Sequence, residues 1–193
     1  FTALETAQKQ VLLKNPEGFA GTFITEVKNI LANHIAARLH FIKGERDANL
    51  NDLDKLFPPE KHDLQRNIEQ TGPASLYDAI SADSDVERTF IQRLDRDQQV
   101  IFYFKFPSAF RIHLPKVIGA YNPDWGIGRY DMGKNKVVLY LVRETKGTTN
   151  LDALHFPQEK RKIQCASAFF KALDVDYRPI TANTADWWTT MPL

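Results

Sequence analysis

Apolar and polar positions along the chain change period twice. Residues from about Thr2 to Lys43 read as helical. Within them Phe23, Val27, Ile30, Leu31 and Ile35 share one face, predicting a core-packed helix over Phe23–Leu39. Asn15-Pro16-Glu17-Gly18 breaks the pattern before it, and Lys43-Gly44 ends it. Glu45–Asp54 is polar and loop-like. Pro58-Pro59 and Thr71-Gly72-Pro73 punctuate the next stretch, with one short helix expected between them. Ser84-Asp85-Val86-Glu87 is a capping box opening a helix whose apolar face is Val86, Phe90, Ile91 and Leu94. The period then shortens to that of strands. Val100–Phe106 (VIFYFKF) is aromatic and β-branched, and Arg111–Leu114 reads as a short strand. Tyr121–Gly128 and Lys136–Thr145 suggest a hairpin turning at Asp131–Asn135. Pro157 suits the first turn of a helix with Ile163, Ala166, Phe170 and Leu173 on its buried face, and Asp176–Ile180 closes the pattern as a strand. These elements predict an α/β fold, a mixed central sheet flanked by helices. The pattern divides the chain into a helical linker or appendage (1–75) and a folded unit (76–193).

The most informative polar residues stand at the end of an apolar strand. Val137–Val142 is a continuous run of the kind buried on both faces, and it leads straight into Arg143, Glu144, Thr145, Lys146 and Gly147. Side chains alternate along a strand, so Glu144 and Lys146 share a face and Thr145 takes the other. If Tyr121–Gly128 is the neighbouring strand, Asp124 stands beside Glu144. Two carboxylates can bind magnesium, a hard cation that prefers oxygen ligands and keeps several waters. The Thr145 carbonyl offers a third oxygen. Lys146 can orient a water and favour its hydroxide form. Taken together, this outlines a metal-dependent phosphodiesterase site. Alternatively, the charges mark the strand's exit into solvent, since D…ExK spacing by itself is a short pattern.

The wider text resembles a known family. Pro123-Asp124 and Glu144-Thr145-Lys146 look like the PD-(D/E)xK nuclease signature. Ser84–Phe90 (SDVERTF), Phe104–Phe106 with Phe110–Ile112 (FKF…FRI), Tyr121–Trp125 (YNPDW), Glu144–Thr148 (ETKGT) and Glu159–Ala166 (EKRKIQCA) resemble the C-terminal endonuclease region of the Res subunit of type III restriction–modification enzymes. The resemblance spans about residues 75–180. It implies a restriction-endonuclease-like core at 76–193 and a DNA endonuclease activity. Asp124 and Glu144 would be metal ligands, with Thr145 adding its backbone carbonyl, and Lys146 the catalytic lysine. Magnesium is the implied cofactor, with manganese able to substitute. Glu87 matches a helix glutamate that sits near the metal in such nucleases, while its capping role accounts for it equally. Lys160, Arg161 and Lys162 either touch DNA phosphates or form a solvated helix face; Lys162 is the favoured contact, and Gln164 a further one. His155 stands where the family pattern carries an arginine. The implied partners are double-stranded DNA, a Mod subunit that recognises and methylates the target, and the rest of the Res chain. Another PD-(D/E)xK repair or recombination nuclease, or a non-catalytic DNA- or partner-binding module, are the competing readings.

Composition narrows this picture only a little. The 193 residues suffice for one sizeable core, and 43% hydrophobic with 25% charged residues is ordinary for a globular protein. The net charge of +1 hides an asymmetry: residues 1–86 carry 9 basic and 13 acidic side chains, and residues 87–193 carry 16 and 11. The positive half holds the candidate site, a direction that suits a polyanion. A single cysteine, Cys165, excludes an internal disulfide, suits a reducing bacterial or archaeal cytoplasm and falls on an apolar helix face. No apolar run reaches the length of a membrane span. No GxxxxGK[ST] sequence occurs, so any ATP use is expected from a motor upstream of a chain that begins at Phe1. Trp187-Trp188 are expected to close onto the core, and Tyr121 and Trp125 to pack around Asp124 without reacting.

Overall fold

The computed structural model describes residues 9–10, 13–44, 55–58, 67–131, 137–148, 150 and 157–190. The hairpin turn expected at Asp131–Asn135 from residue 132 on, the Glu45–Asp54 loop, residues 59–66 of the expected short helix, and His155 lie outside the described residues.

A mixed four-stranded sheet forms the centre. Its strands are β3 (Val100–Lys105), β6 (Trp125–Asp131), β7 (Val137–Thr145) and β8 (Asp176–Ile180), in the order β3-β6-β7-β8. The first three pair antiparallel and β8 joins β7 in parallel. Helix α2 (Asp85–Arg96) covers one face and α3 (Pro157–Ala172) the other. On the α2 face Phe90, Ile91 and Leu94 pack with Tyr103, Trp125, Ile127, Leu141, Ile180 and Trp187. On the α3 face Ile163, Ala166 and Phe170 pack with Tyr121, Val142 and Tyr177. The expected α/β architecture is therefore present, as is the hairpin of β6 and β7. Trp187 closes onto the core as expected, whereas Trp188 is partly exposed.

The sequence reading missed a small hairpin of β1 (Ile68–Gln70) and β2 (Ala79–Ser81), which occupies part of the stretch expected to be helical. The expected strand Tyr121–Gly128 is also divided. β5 (Ala120–Tyr121) pairs with β4 (Ile112–His113), and β6 starts only at Trp125. Pro123 lies in the gap and has no amide hydrogen to give a ladder. Gly119, at φ +92°, makes the left-handed turn into β5.

Helix α1 (Pro16–Ala36) corrects a second expectation. Asn15 caps it, accepting the Gly18 amide at 2.9 Å, with Pro16 in the first turn. The helix ends at Ala36, short of Leu39 and Lys43. Most of its expected core stripe faces outward: Phe23 is 59% and Ile30 66% exposed, and of the stripe only Ile35 packs inward, against the Ala32 and Cys165 cluster. The inward face is Asn29, Ala32, Asn33 and Ala36, one helical stripe. Arg161 of α3 is buried and donates to Asn33 Oδ1 at 3.0 Å and Asn29 Oδ1 at 3.2 Å. A buried guanidinium requires partners, and small alanines permit the close approach that supplies them. The face that meets α3 is thus partly polar, and both Nη atoms of Arg161 find acceptors there. Ala32 and Ala36 pack with Ile118 and Cys165, so the cysteine has the core role expected of it. Leu173 was placed on the buried face of α3, but the helix stops at Ala172 and Leu173 is 37% exposed.

Candidate active site

β7 stays buried where its composition turns polar. Tyr140, within the apolar run, is exposed, while Leu141 to Thr145 are all buried. Arg143 is 0% exposed and Glu144 4%, so these charges do not mark an exit into solvent. Arg143 lies on the α2 face, where Nε donates to the Trp187 carbonyl at 2.6 Å and Nη1 pairs with Asp176 at 2.6 Å. Burial pulls its pKa down to about 10, with Asp176 opposing. Glu144 lies on the α3 face, between Tyr121 and Lys146.

The β6–β7 register pairs Trp125 with Arg143, which sets Asp124 level with Glu144. Asp124 is fixed by backbone and side chain alike: its carbonyl accepts the Phe106 amide at 2.8 Å. Its Oδ2 accepts both the amide and the hydroxyl of Thr145, each at 2.7 Å. Trp125 Nε1 donates to the same Thr145 hydroxyl at 3.3 Å, which orients it. Among the described residues no hydrogen bond reaches Asp124 Oδ1. Glu144 Oε2 accepts from Tyr121 at 2.5 Å, and the Tyr121 and Tyr177 hydroxyls are 2.7 Å apart. Glu144 Oε1 pairs with Lys146 at 3.1 Å, and Lys146 also reaches Glu159 Oε1 at 3.5 Å. Asp124, Glu144, Lys146, Glu159 and Lys162 line one cavity of about 300 Å3 with Tyr121 and Asn122.

Burial governs both acids, and the Asp124 charge adds to it at Glu144. Glu144 is raised from 4.5 to about 7, by burial first and by Asp124 second. Asp124 is also raised by burial, against the opposing hydrogen bonds of Thr145. Burial works to lower the Lys146 ammonium, but Glu144, Glu159 and Asp124 outweigh it and hold it above its ordinary value. Lys146 is therefore a cation at neutral pH. Both tyrosines are raised, chiefly by burial and then by the Glu144 charge, and remain hydrogen-bond donors.

The residues singled out from sequence take different places. Asp124, Glu144, Lys146 and Lys162 meet at one cavity. Thr145 contributes its amide and hydroxyl to Asp124. Glu87 lies beside the site rather than on the cavity wall: Ser84 Oγ accepts its amide at 3.2 Å, and its own Oε2 takes Asp83 N–H and the Lys105 ammonium. Arg161 is corrected as a DNA contact: it is buried and points to α1, where its two Nη atoms donate to Asn33 and Asn29. Gln164 is exposed and off the cavity wall, and Lys160 is half-buried. Sequence reasoning missed Glu159 and the Tyr121–Tyr177 pair. Glu159 lay within a recognised stretch, but its partner Lys146 is across a crossover. Tyr121 was expected only to pack, yet its hydroxyl holds the central carboxylate.

A mixed sheet between two helices, with acids from adjoining strands facing a cleft, defines a restriction-endonuclease-like core. The family model for the endonuclease domain matches residues 73–183, and the chain belongs to that family. The matched span contains every residue lining the acidic cavity. No curated protein and no solved structure matches the chain. Among the described residues no helix is long and apolar enough to cross a membrane.

Among the described residues no group of three or more His, Cys, Asp or Glu side chains is arranged to hold a metal. The candidate ligands are thus the two carboxylates Asp124 and Glu144. Magnesium is commonly held by one or two carboxylates, completing its shell with water and phosphate oxygens. Two acids destabilised by burial, one of them also by the other's charge, gain most from a cation between them. The residues fit.

Proposed function

We propose that this chain is the endonuclease domain of the Res subunit of a type III restriction–modification enzyme and hydrolyses DNA phosphodiester bonds with magnesium. The observation that carries the hydrolytic reading is the convergence of Asp124, Glu144 and Lys146 on one cavity. The type III assignment rests on the order and spacing of the five sequence stretches, which a general repair nuclease need not share. Double-stranded DNA is the substrate. The Mod subunit and the remaining Res chain are the proposed partners, and ATP acts only through the motor expected upstream.

Asp124 and Glu144 hold the cation. A bound magnesium supplies charge stabilisation at the scissile phosphate and an acidified water. Thr145 keeps Asp124 Oδ2 in place, and Tyr121 favours ionised Glu144 by donating to it. The cationic Lys146 orients the attacking water and stabilises the developing charge. Lys162, on the same cavity wall, neutralises a flanking phosphate. A degenerate binding module would have no reason to keep the two acids and the lysine together.

Manganese calorimetry on the full chain, alongside nicking of supercoiled plasmid, tests this. Asp124→Asn should weaken manganese by more than about tenfold. Lys146→Met should retain manganese yet lose nicking by at least about a hundredfold. Undiminished nicking in the lysine variant, or undiminished manganese affinity in the aspartate variant, removes the assignment.

A further inference from the structure

Beside the acidic cavity lies a second group of charges that the hydrolytic reading leaves unused. Lys105 is on β3, directly across from Trp125, the residue after Asp124. Its ammonium sits among three oxygens: Glu87 Oε2 at 2.9 Å, the Ser81 carbonyl at 3.0 Å and Asp83 Oδ2 at 3.2 Å. The Trp125 ring centroid is 6.0 Å away. Burial works to lower this ammonium, but Glu87 and Asp83 outweigh it and hold it above its ordinary value. Glu87 is close enough for its charge to act on Asp124. Lys105 and Asp83 line a neighbouring cavity of about 360 Å3, and Asn122 lines both cavities.

Three oxygens around one cation, two of them carboxylate, is a coordination sphere occupied by a side chain. We infer that Lys105 is a positioning residue that takes the place of a second divalent ion, neutralising Glu87 so that the chain binds one metal at Asp124 and Glu144. The inference rests on the proposal that those two acids hold a cation. A covalently attached ammonium cannot be displaced by dilution, and a second dication beside it would meet like charge in a partly desolvated place. Glu87 is then bound to its lysine, with Asp83 N–H on the same oxygen at 2.7 Å.

Manganese titration of the full chain decides the matter by stoichiometry and affinity. The intact protein should bind one ion and Lys105→Met two, and adding Glu87→Gln to that variant should return it to one. Glu87→Gln alone should change the affinity of the first ion by less than about tenfold, below what losing a group that fixes a metal ligand costs. Two ions in the intact protein overturn the inference. So does a single ion in both the intact protein and a Lys105→Met protein that still melts cooperatively, or a loss beyond about tenfold in Glu87→Gln. The last measurement stands even if Lys105→Met fails to fold. If the intact chain bound no ion while Lys105→Met bound one, the role of Lys105 would survive and the proposed catalytic metal would not. Binding by neither would overturn both.

Discussion

Glu144→Gln should make the protein less sensitive to alkaline pH. In the unfolded chain Glu144 titrates at its ordinary 4.5, and in the fold at about 7. The folded state therefore binds the proton more tightly. The stability Glu144 contributes is fully present below pH 4.5 and is lost as pH rises through 7. Each tenfold in proton affinity is worth about 1.36 kcal/mol, so keeping this carboxylate ionised in the fold costs about 3 kcal/mol. Between pH 5 and pH 8 the wild-type chain should lose about 2 to 3 kcal/mol relative to the glutamine variant. The amide's fixed effects, among them an NH2 group set against Lys146, do not vary with pH and cancel in the comparison. Urea denaturation of both proteins, followed by circular dichroism with chelator present, gives the difference at each pH. Magnesium should then narrow the gap at pH 8, because only the wild type offers both carboxylates. Stability profiles that run parallel within about 0.5 kcal/mol across this range, below the size of an ordinary mutational effect, would refute burial as the force acting on Glu144.

Tyr121→Phe removes the donor that favours the ionised glutamate, so the Glu144 pKa should climb further. The acid limb of manganese binding against pH should move upward, with a stability loss of about 1–3 kcal/mol from the unpaired buried groups; an unmoved limb would show that the hydroxyl only packs. Gly126→Ala tests the backbone behind Asp124. A Cβ there would sit inside contact distance of the Phe104 ring, which packs against Phe57 and Phe106. A loss of about 1–3 kcal/mol in thermal or urea melts is expected, and a neutral result would mean that the ring moves freely.

Some of this site was written locally, and some was not. Asp124, Glu144 and Lys146 could be read because strand alternation and a single hairpin determine their meeting. Both rules operate over few residues. The inward face of α1 could not be read from its own text, since it is set by Arg161, more than a hundred residues later. Lys105 drew no reading of its own within an aromatic strand, because its three oxygen partners come from β2, the loop after it and α2. Arg143 likewise resembled a strand's exit into solvent until Trp187 and Asp176 closed around it. Apolar periodicity predicts what a segment would bury alone. Buried arginines and lysines answer to partners, and those partners are distant in sequence.

The recognisable text and the foldable unit have different limits. The endonuclease match ends at residue 183, yet the indole of Trp187 meets Phe90 at 5.4 Å within the α2-side core. Its carbonyl accepts Arg143 from the strand that carries Glu144. Arg93 on α2 similarly donates to the carbonyls of Ala182, Thr184 and Ala185. A fragment trimmed to 73–183 would keep every cavity-lining acid and lysine while stripping partners from Arg143 and Arg93. It would also delete Asn29 and Asn33, leaving the Arg161 guanidinium without its caps. Anyone excising this nuclease by its family boundaries would obtain the full set of reactive groups on a sheet that has lost its fastenings, and a silent product of that kind would say nothing about the chemistry.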